Sequence, residues 1–339
     1  MKILNLDGGY FVEPFRRLGH DTLWIGPLPS SDVVLHETLS LKGLLETLDE
    51  HDFQPDLVVW ADMCRPPSVI GIETLPAVTV GYSIDQYCNP WHAPYSAAFD
   101  LMLVAQKDYM GMFDDPQVEN EVEWAPLFSN SFKDKDLGQI RNIPIGFVGT
   151  VEGTLNKERR DFLKAFNAIQ PLHVTQGNYA PVYNRCRIVL NQSAVGELNF
   201  RIFEAMGCGA AVLTEDVGNG LSDIFENGRD ILLYPRGNVQ AAALIARKAL
   251  ATDSLAELAQ SGRRAVTKAH SSSVRARRIL DFAEKAIGTT TAWRMRNKEI
   301  VRKNMGTVYS MLAVDEALPL TQELRDLFIR LGQEARSTQ

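Results

Sequence analysis

Short apolar runs recur along this chain, each followed by a helical or glycine-bearing stretch, a rhythm that a parallel sheet covered by helices satisfies. The first series comprises Lys2 to Asp7, Thr22 to Ile25, Leu57 to Trp60, Ala77 to Gly81 and Leu101 to Ala105. Between Phe128 and Ile143 the pattern lapses into polar, charged sequence (SNSFKDKDLGQIRN), as at a linker or domain edge. A second series runs through Ile145 to Val148, Leu172 to Thr175, Ile188 to Asn191, Ala211 to Thr214 and Ile231 to Tyr234. At 339 residues the chain exceeds one ordinary core, and two α/β domains of about 150 residues each are expected. The boundaries fall at residues 1–135 and 136–287. Helical spacing from Val239 to Ala251, Ser254 to Ala269 and Ser273 to Ile287 closes the second domain. Residues 288–339 form a helical tail, from TAWRMRN onward, expected to cross back over the first domain; a partner-binding appendage is the alternative.

With 45% hydrophobic and 23% charged residues the chain is expected to be globular and soluble. A net charge of -7 argues against nucleic acid as a partner. Basic clusters at Lys157-Arg159-Arg160, Arg263-Arg264 and Arg275-Arg277-Arg278 are expected on solvated helix faces, holding a phosphate being the alternative. Cys64, Cys88, Cys186 and Cys208 stand far apart without metal-ligand spacing, so neither a zinc site nor a disulfide framework is expected, nor any metal. No leader and no run of ~18 apolar residues is apparent, and a cytoplasmic location is expected.

The stretch from Leu190 to Pro235 (LNQSAVGELNFRIFEAMGCGAAVLTEDVGNGLSDIFENGRDILLYP) carries the chemistry. It reads as a strand, a loop with Gly196, a helix from about Leu198 to Met206, a stop at Gly207 and Gly209, and another strand. Ligands in such folds bind beyond the carboxyl ends of the strands. Backbone N–H groups around Gly196, Glu197, Leu198 and Asn199 suit a diphosphate without a metal. Arg201 suits phosphate, and Glu204 suits a ribose diol, since one carboxylate accepts from two hydroxyls. Glu197, Arg201 and Glu204 also fall at i, i+4 and i+7, where a surface salt-bridge ladder is the competing arrangement.

Over Asn199 to Pro235, and more loosely from Ile145 to Ala286, the sequence resembles the C-terminal domain of GT-B glycosyltransferases of the spore-maturation (CgeB-like) group, through FEAMGCGAAVLT and the later GRDILLY. The resemblance implies a GT-B fold: two Rossmann-like domains facing a cleft, acceptor domain first and nucleotide-sugar domain second. It also implies a nucleoside-diphosphate sugar as donor, UDP favoured over GDP, with no other cofactor. In the broader relatives two glutamates separated by seven residues face the donor sugar and grip the ribose. Glu204 matches the second; Gly196 stands at the first position, and Glu197, with six residues between, is the displaced candidate. That departure leaves retaining or inverting stereochemistry open.

By position, Gly149 and Thr150 are expected against phosphate, Gln176, Gly177 and Asn178 at the base with Tyr179 stacked on it, and Glu215, Asp216, Gly218 and Asn219 beside the cleft. In the first domain GYSIDQYCNPWHAPYSAAFDLMLV offers aromatic faces, Tyr87 and Trp91 among them, for an acceptor. Asp85 is the first candidate for the base and His92 the second, each otherwise a turn or cap residue. Gly8 and Gly9 leave room for phosphates or acceptor, and Asp7 and Asp62 face the same end. The expected activity is metal-independent hexosyl transfer to a hydroxyl on a protein, a glycan, an envelope component or a small molecule. A nucleotide-sugar epimerase and an inactive sugar-nucleotide-binding scaffold are the alternatives.

Overall fold

The computed structural model describes residues 1–153, 156–288 and 293–337. The chain forms two units, one made of Met1–Ala125 with Ala276–Gln339, the other of Pro126–Arg275. The polar segment that reads as a linker therefore lies within the second unit. Arg141 fastens it there by donating to the carbonyls of Tyr183 (3.0 Å), Cys186 (2.8 Å) and Cys208 (2.9 Å).

The first unit contains β1 (Lys2–Asp7), β2 (Asp21–Gly26), β3 (Val33–Val34), β4 (Leu57–Ala61), β5 (Val78–Ser83), β6 (Leu101–Val104) and β7 (Glu121–Trp124). They join in one parallel sheet in the order β3-β2-β1-β4-β5-β6-β7. Central strands covered on both faces must be apolar throughout, which is why β4 (LVVWA) and β6 (LMLV) are buried at every residue. The order reverses between β1 and β4, so the loops leaving these two strands form the ligand-prone end of the sheet.

The helical tail belongs to this unit. Of the stretch expected from residue 291, residues 291 and 292 lie outside the described residues; helices follow at Trp293–Arg296, Lys298–Val314 and Gln322–Ser337. Arg294 is buried (1% exposed) and donates to Thr79 Oγ1 (3.1 Å), to the Glu73 carbonyl (2.6 Å) and to the Ala77 carbonyl. The last two helices approach at Gly306 and Gly332, where a Cβ would lie 2.7 Å from Ala335 Cβ and 2.8 Å from Ser310 Oγ, and Tyr309 stacks on Phe328.

In the second unit β8 (Ile143–Val148), β9 (His173–Thr175), β10 (Cys186–Asn191), β11 (Ala211–Glu215) and β12 (Leu232–Tyr234) form a parallel sheet in the order β12-β11-β10-β8-β9. Its core gathers Ile145, Phe147, Leu190 and Leu213 with Phe162 and Phe166 of the helix Lys157–Ile169. The order reverses between β8 and β10, so a ligand is expected where Val148 and Asn191 end their strands.

Candidate functional site

At that reversal in the second unit the side chains converge. The helix Phe200–Gly207 begins two residues later than its sequence suggests, with Asn199 as an extended N-cap whose side chain makes no capping bond. Both polar atoms of the Asn199 amide are buried without a partner. Buried polar groups are ordinarily satisfied, so an orphaned amide at a helix start marks a place where a polar ligand completes the structure.

Arg201 turns inward instead of bridging the two glutamates. Its guanidinium lies 4.3 Å from the Phe147 ring centroid and donates to the Val148 carbonyl (3.1 Å) and Asn191 Oδ1 (2.6 Å). These contacts hold a cation at the ends of β8 and β10 and exclude the surface ladder. Gly149 leaves the space, since a Cβ there would lie 2.5 Å from Arg201 Nη2. Thr150 is exposed beside it, its carbonyl accepting from Arg159 Nη1 (3.2 Å).

Glu197 is folded into its own loop. It accepts from Ser193 Oγ and from the backbone N–H of Val195 (2.9 Å) and Ala194 (3.3 Å). Burial opposes its charge, but these hydrogen bonds, Ser193 foremost, together hold its carboxyl below the ordinary value. In this position the carboxylate shapes residues 193–197. Gly196 takes a positive φ of 89° that glycine permits, and a Cβ there would lie 2.6 Å from Arg236 Nη1. From β11 and the loop after it, Glu215 accepts from the Ser193 N–H (3.3 Å) and Asn219 donates to the Gly196 carbonyl (3.2 Å), bracing the same loop; Leu198 is buried behind it.

Glu204 sits with Asp134, Tyr179 and Lys133. Tyr179 donates to Asp134 Oδ1 (2.8 Å), and the Lys133 ammonium lies 3.8 Å from the Tyr179 ring centroid. That ring face therefore carries a cation. Burial, and next the Asp134 charge, push the Glu204 carboxyl up to about 7; burial also raises Asp134 to about 6. Two carboxylates kept close in a desolvated place form a poised acceptor for hydroxyl donors. Gln176, Gly177 and Asn178 form an exposed loop after the edge strand β9, Gly177 with φ 95°.

Sequence reading missed Lys133 and Asp134 because they fall in a stretch without periodicity. It also missed Arg236. Arg159 is 8% exposed, and its Nε donates to Gln192 Oε1 (3.3 Å), so this member of a basic cluster is no solvated residue. Arg275, 4% exposed and donating to the Pro126 carbonyl (2.6 Å), departs likewise.

The first unit divides its candidates. His92 is fully buried, with Nδ1 2.8 Å from Ser83 Oγ and edge contacts to Trp60 and Trp91; burial drives its pKa down to about 3. A neutral ring sealed in an aromatic core reaches no acceptor, which removes it as a base. Trp91, 2% exposed, belongs to that core with Tyr95 and Phe99, not to a sugar platform. Asp85 remains, half-buried beyond β5 and accepting from the Tyr87 hydroxyl (2.8 Å). Asp62 is consumed structurally, accepting from the N–H groups of Cys64 (2.7 Å), Ile84 (3.1 Å) and Asp85 (2.8 Å). Asp7 accepts from Trp60 Nε1 (2.9 Å) and the Ser68 N–H (3.2 Å). Gly8 and Gly9 serve close packing: a Cβ would lie 2.9 Å from the Ala61 carbonyl at the first and 2.4 Å from the Trp24 ring at the second.

Among the described residues no group of three or more His, Cys, Asp or Glu is placed to hold a metal ion, and no helix is long and apolar enough to cross a membrane. Residues 139–281 match the family model described as glycosyl transferase-like. Comparison with curated proteins finds no match. Among solved structures the chain is similar to a glycosyltransferase from Rickettsia africae, with a TM-score of 0.64 and 12% identity over 85% of this chain and 99% of that one. It is similar to the sucrose-phosphate synthase of Thermosynechococcus elongatus, with a TM-score of 0.60 and 14% identity over 85% and 99%. A third, Anabaena HepE in complex with UDP-glucose, gives a TM-score of 0.59 and 14% identity over 84% and 100%. The chain therefore has the GT-B fold, and its residues 139–281 are glycosyl transferase-like in sequence.

Proposed function

We propose that this protein is a glycosyltransferase that moves a sugar from a nucleoside diphosphate, UDP in preference to GDP, to an acceptor hydroxyl. The observation that carries the reading is the convergence of the unpartnered Asn199 amide, the inward-held Arg201 and the half-buried Glu204 at the strand-order reversal of the second unit. The glycosyl transferase-like match over 139–281 supports it, as does the fold shared with HepE, whose structure is a complex with UDP-glucose; FEAMGCGAAVLT supports a place near the CgeB-like group. The diphosphate lies against the loop 193–199 and Arg201, which stabilise the departing charge without a metal, and the ribose hydroxyls donate to Glu204. Asp85 takes the acceptor proton.

Glu204 accepts from hydroxyls most strongly when ionised, and burial puts its pKa up to about 7. UDP-glucose binding is therefore expected to strengthen as pH rises, about tenfold between pH 6 and pH 8, measured by calorimetry; the donor diphosphodiester does not titrate there. A flat profile contradicts the ribose role. Asp85→Asn is expected to lower kcat about a hundredfold with the donor Kd unchanged. Assaying donor consumption and acceptor glycosylation against a panel of nucleotide sugars tests the function itself. Turnover without an acceptor product points to an epimerase, and tight binding without turnover to a scaffold.

A further inference from the structure

The four cysteines are separate in sequence, yet two of them meet in the first unit. Cys64 leaves β4 and Cys88 lies beyond β5, and their sulfurs are 3.7 Å apart with both residues exposed. Asp62 causes the meeting. Its carboxylate accepts from the Cys64 N–H and from the N–H groups of Ile84 and Asp85, tying the loop after β4 to the loop after β5. Cys64 holds a left-handed backbone (φ 56°) that a non-glycine residue adopts only when its surroundings impose it. Asn89 Nδ2 lies 3.4 Å from the Cys88 sulfur and 3.7 Å from the Cys64 sulfur, offering both one donor.

We propose that Cys64 and Cys88 form a reversible redox site, closing to an intramolecular disulfide by exchange with a low-molecular-weight disulfide. A sulfur–sulfur bond of ~2.05 Å requires the two atoms to close by less than about 2 Å, a displacement within reach of side-chain rotation at two exposed residues. Cys64 attacks first: the neighbouring Cys88 thiol holds its pKa below the ordinary thiol value, while the same contact raises that of Cys88. The Cys64 thiolate displaces one thiolate from the small disulfide and forms a mixed disulfide. Cys88 then attacks the Cys64 sulfur and expels the second. Two electrons pass to the small disulfide, and the two thiol protons leave with the two released thiols. Cys186 and Cys208 are buried and take no part.

The test equilibrates the full chain with oxidised and reduced glutathione, then alkylates, digests and weighs the peptides. The expected result is a Cys64–Cys88 cross-linked pair lighter by two hydrogens and reversed by dithiothreitol. Cys88→Ser should stop at glutathione on Cys64, and wild-type protein quenched with acid early in the reaction should carry its transient glutathione on Cys64 in preference to Cys88 by at least about tenfold. Wild-type protein that retains glutathione on either residue, or that shows no cross-linked pair, overturns the site. Early glutathione shared equally between the two residues of wild-type protein overturns the order of attack.

One consequence rests on the transferase reading. The Asp85 carbonyl accepts from Cys88 Sγ (3.2 Å) and Asn89 Nδ2 (3.0 Å), so the bond tethers the loop that carries Asp85. Oxidised wild-type protein should lose at least about tenfold in transfer rate, with the Cys64→Ser/Cys88→Ser double variant unaffected by glutathione disulfide. A cross-linked protein with unchanged transfer overturns this consequence alone, and peptide mass decides the disulfide whatever the activity.

Discussion

Replacing Glu204 with glutamine is expected to weaken UDP-glucose binding roughly thirtyfold at pH 8 and to raise the melting temperature by roughly 5 °C. The two effects share one cause. A ribose diol donating to an ionised carboxylate contributes about 2 kcal/mol, and a neutral amide with one oxygen retains little of it. Without ligand the same carboxylate is a burden, because burial and the nearby Asp134 push its pKa from 4.5 to about 7. A carboxyl with a higher pKa folded than unfolded takes up a proton on folding in that window. Stability therefore falls as pH rises from about 4.5 to about 7, by up to about 3 kcal/mol, and the whole cost is present at pH 8. Glutamine, neutral at every pH, removes it. Calorimetric binding and scanning calorimetry at pH 5 and pH 8 check both halves: the stabilisation should shrink at pH 5. A Glu204→Gln protein with unchanged binding and unchanged melting would mean an ordinary surface carboxylate.

Arg294→Ala is expected to destabilise the first unit by about 3–5 kcal/mol and to lower its melting temperature by roughly 10 °C. The guanidinium is buried among the Glu73 and Ala77 carbonyls and Thr79, with Asp100 Oδ1 3.5 Å away. Truncation strands these acceptors and leaves Asp100 without its buried cation. Scanning calorimetry measures the shift. A melting temperature unchanged by the substitution would make the tail an appendage for a partner, the arrangement its sequence also allowed.

The central strands of both sheets were legible because a strand buried on both faces must be apolar along its whole length, as LVVWA and LMLV are, whereas the edge strands β3 and β7, short or half-exposed, left no such run. Glu204 and Arg201 were legible because the helix that carries them is amphipathic and follows a glycine loop. Three features were hidden. Lys133 and Asp134 come from an irregular segment whose place is fixed by Arg141 and Asn184, contacts that leave no period in the sequence. His92 and Trp91 sit in sequence that resembles a polar loop, yet a short helix turns them into the core against Trp60. Cys64 and Cys88 meet because adjacent parallel strands bring distant loops to one edge, where Asp62 ties them together.

The central claim is that the donor nucleotide occupies the end of the second sheet where strand order reverses. A crystal structure of the protein with UDP tests it most directly. The account predicts the diphosphate against the backbone N–H groups of residues 196–199 and the Arg201 guanidinium, with the ribose hydroxyls within hydrogen-bond reach of Glu204. Nucleotide density at the β1 and β4 ends of the first sheet, with the 193–199 loop empty, would contradict it.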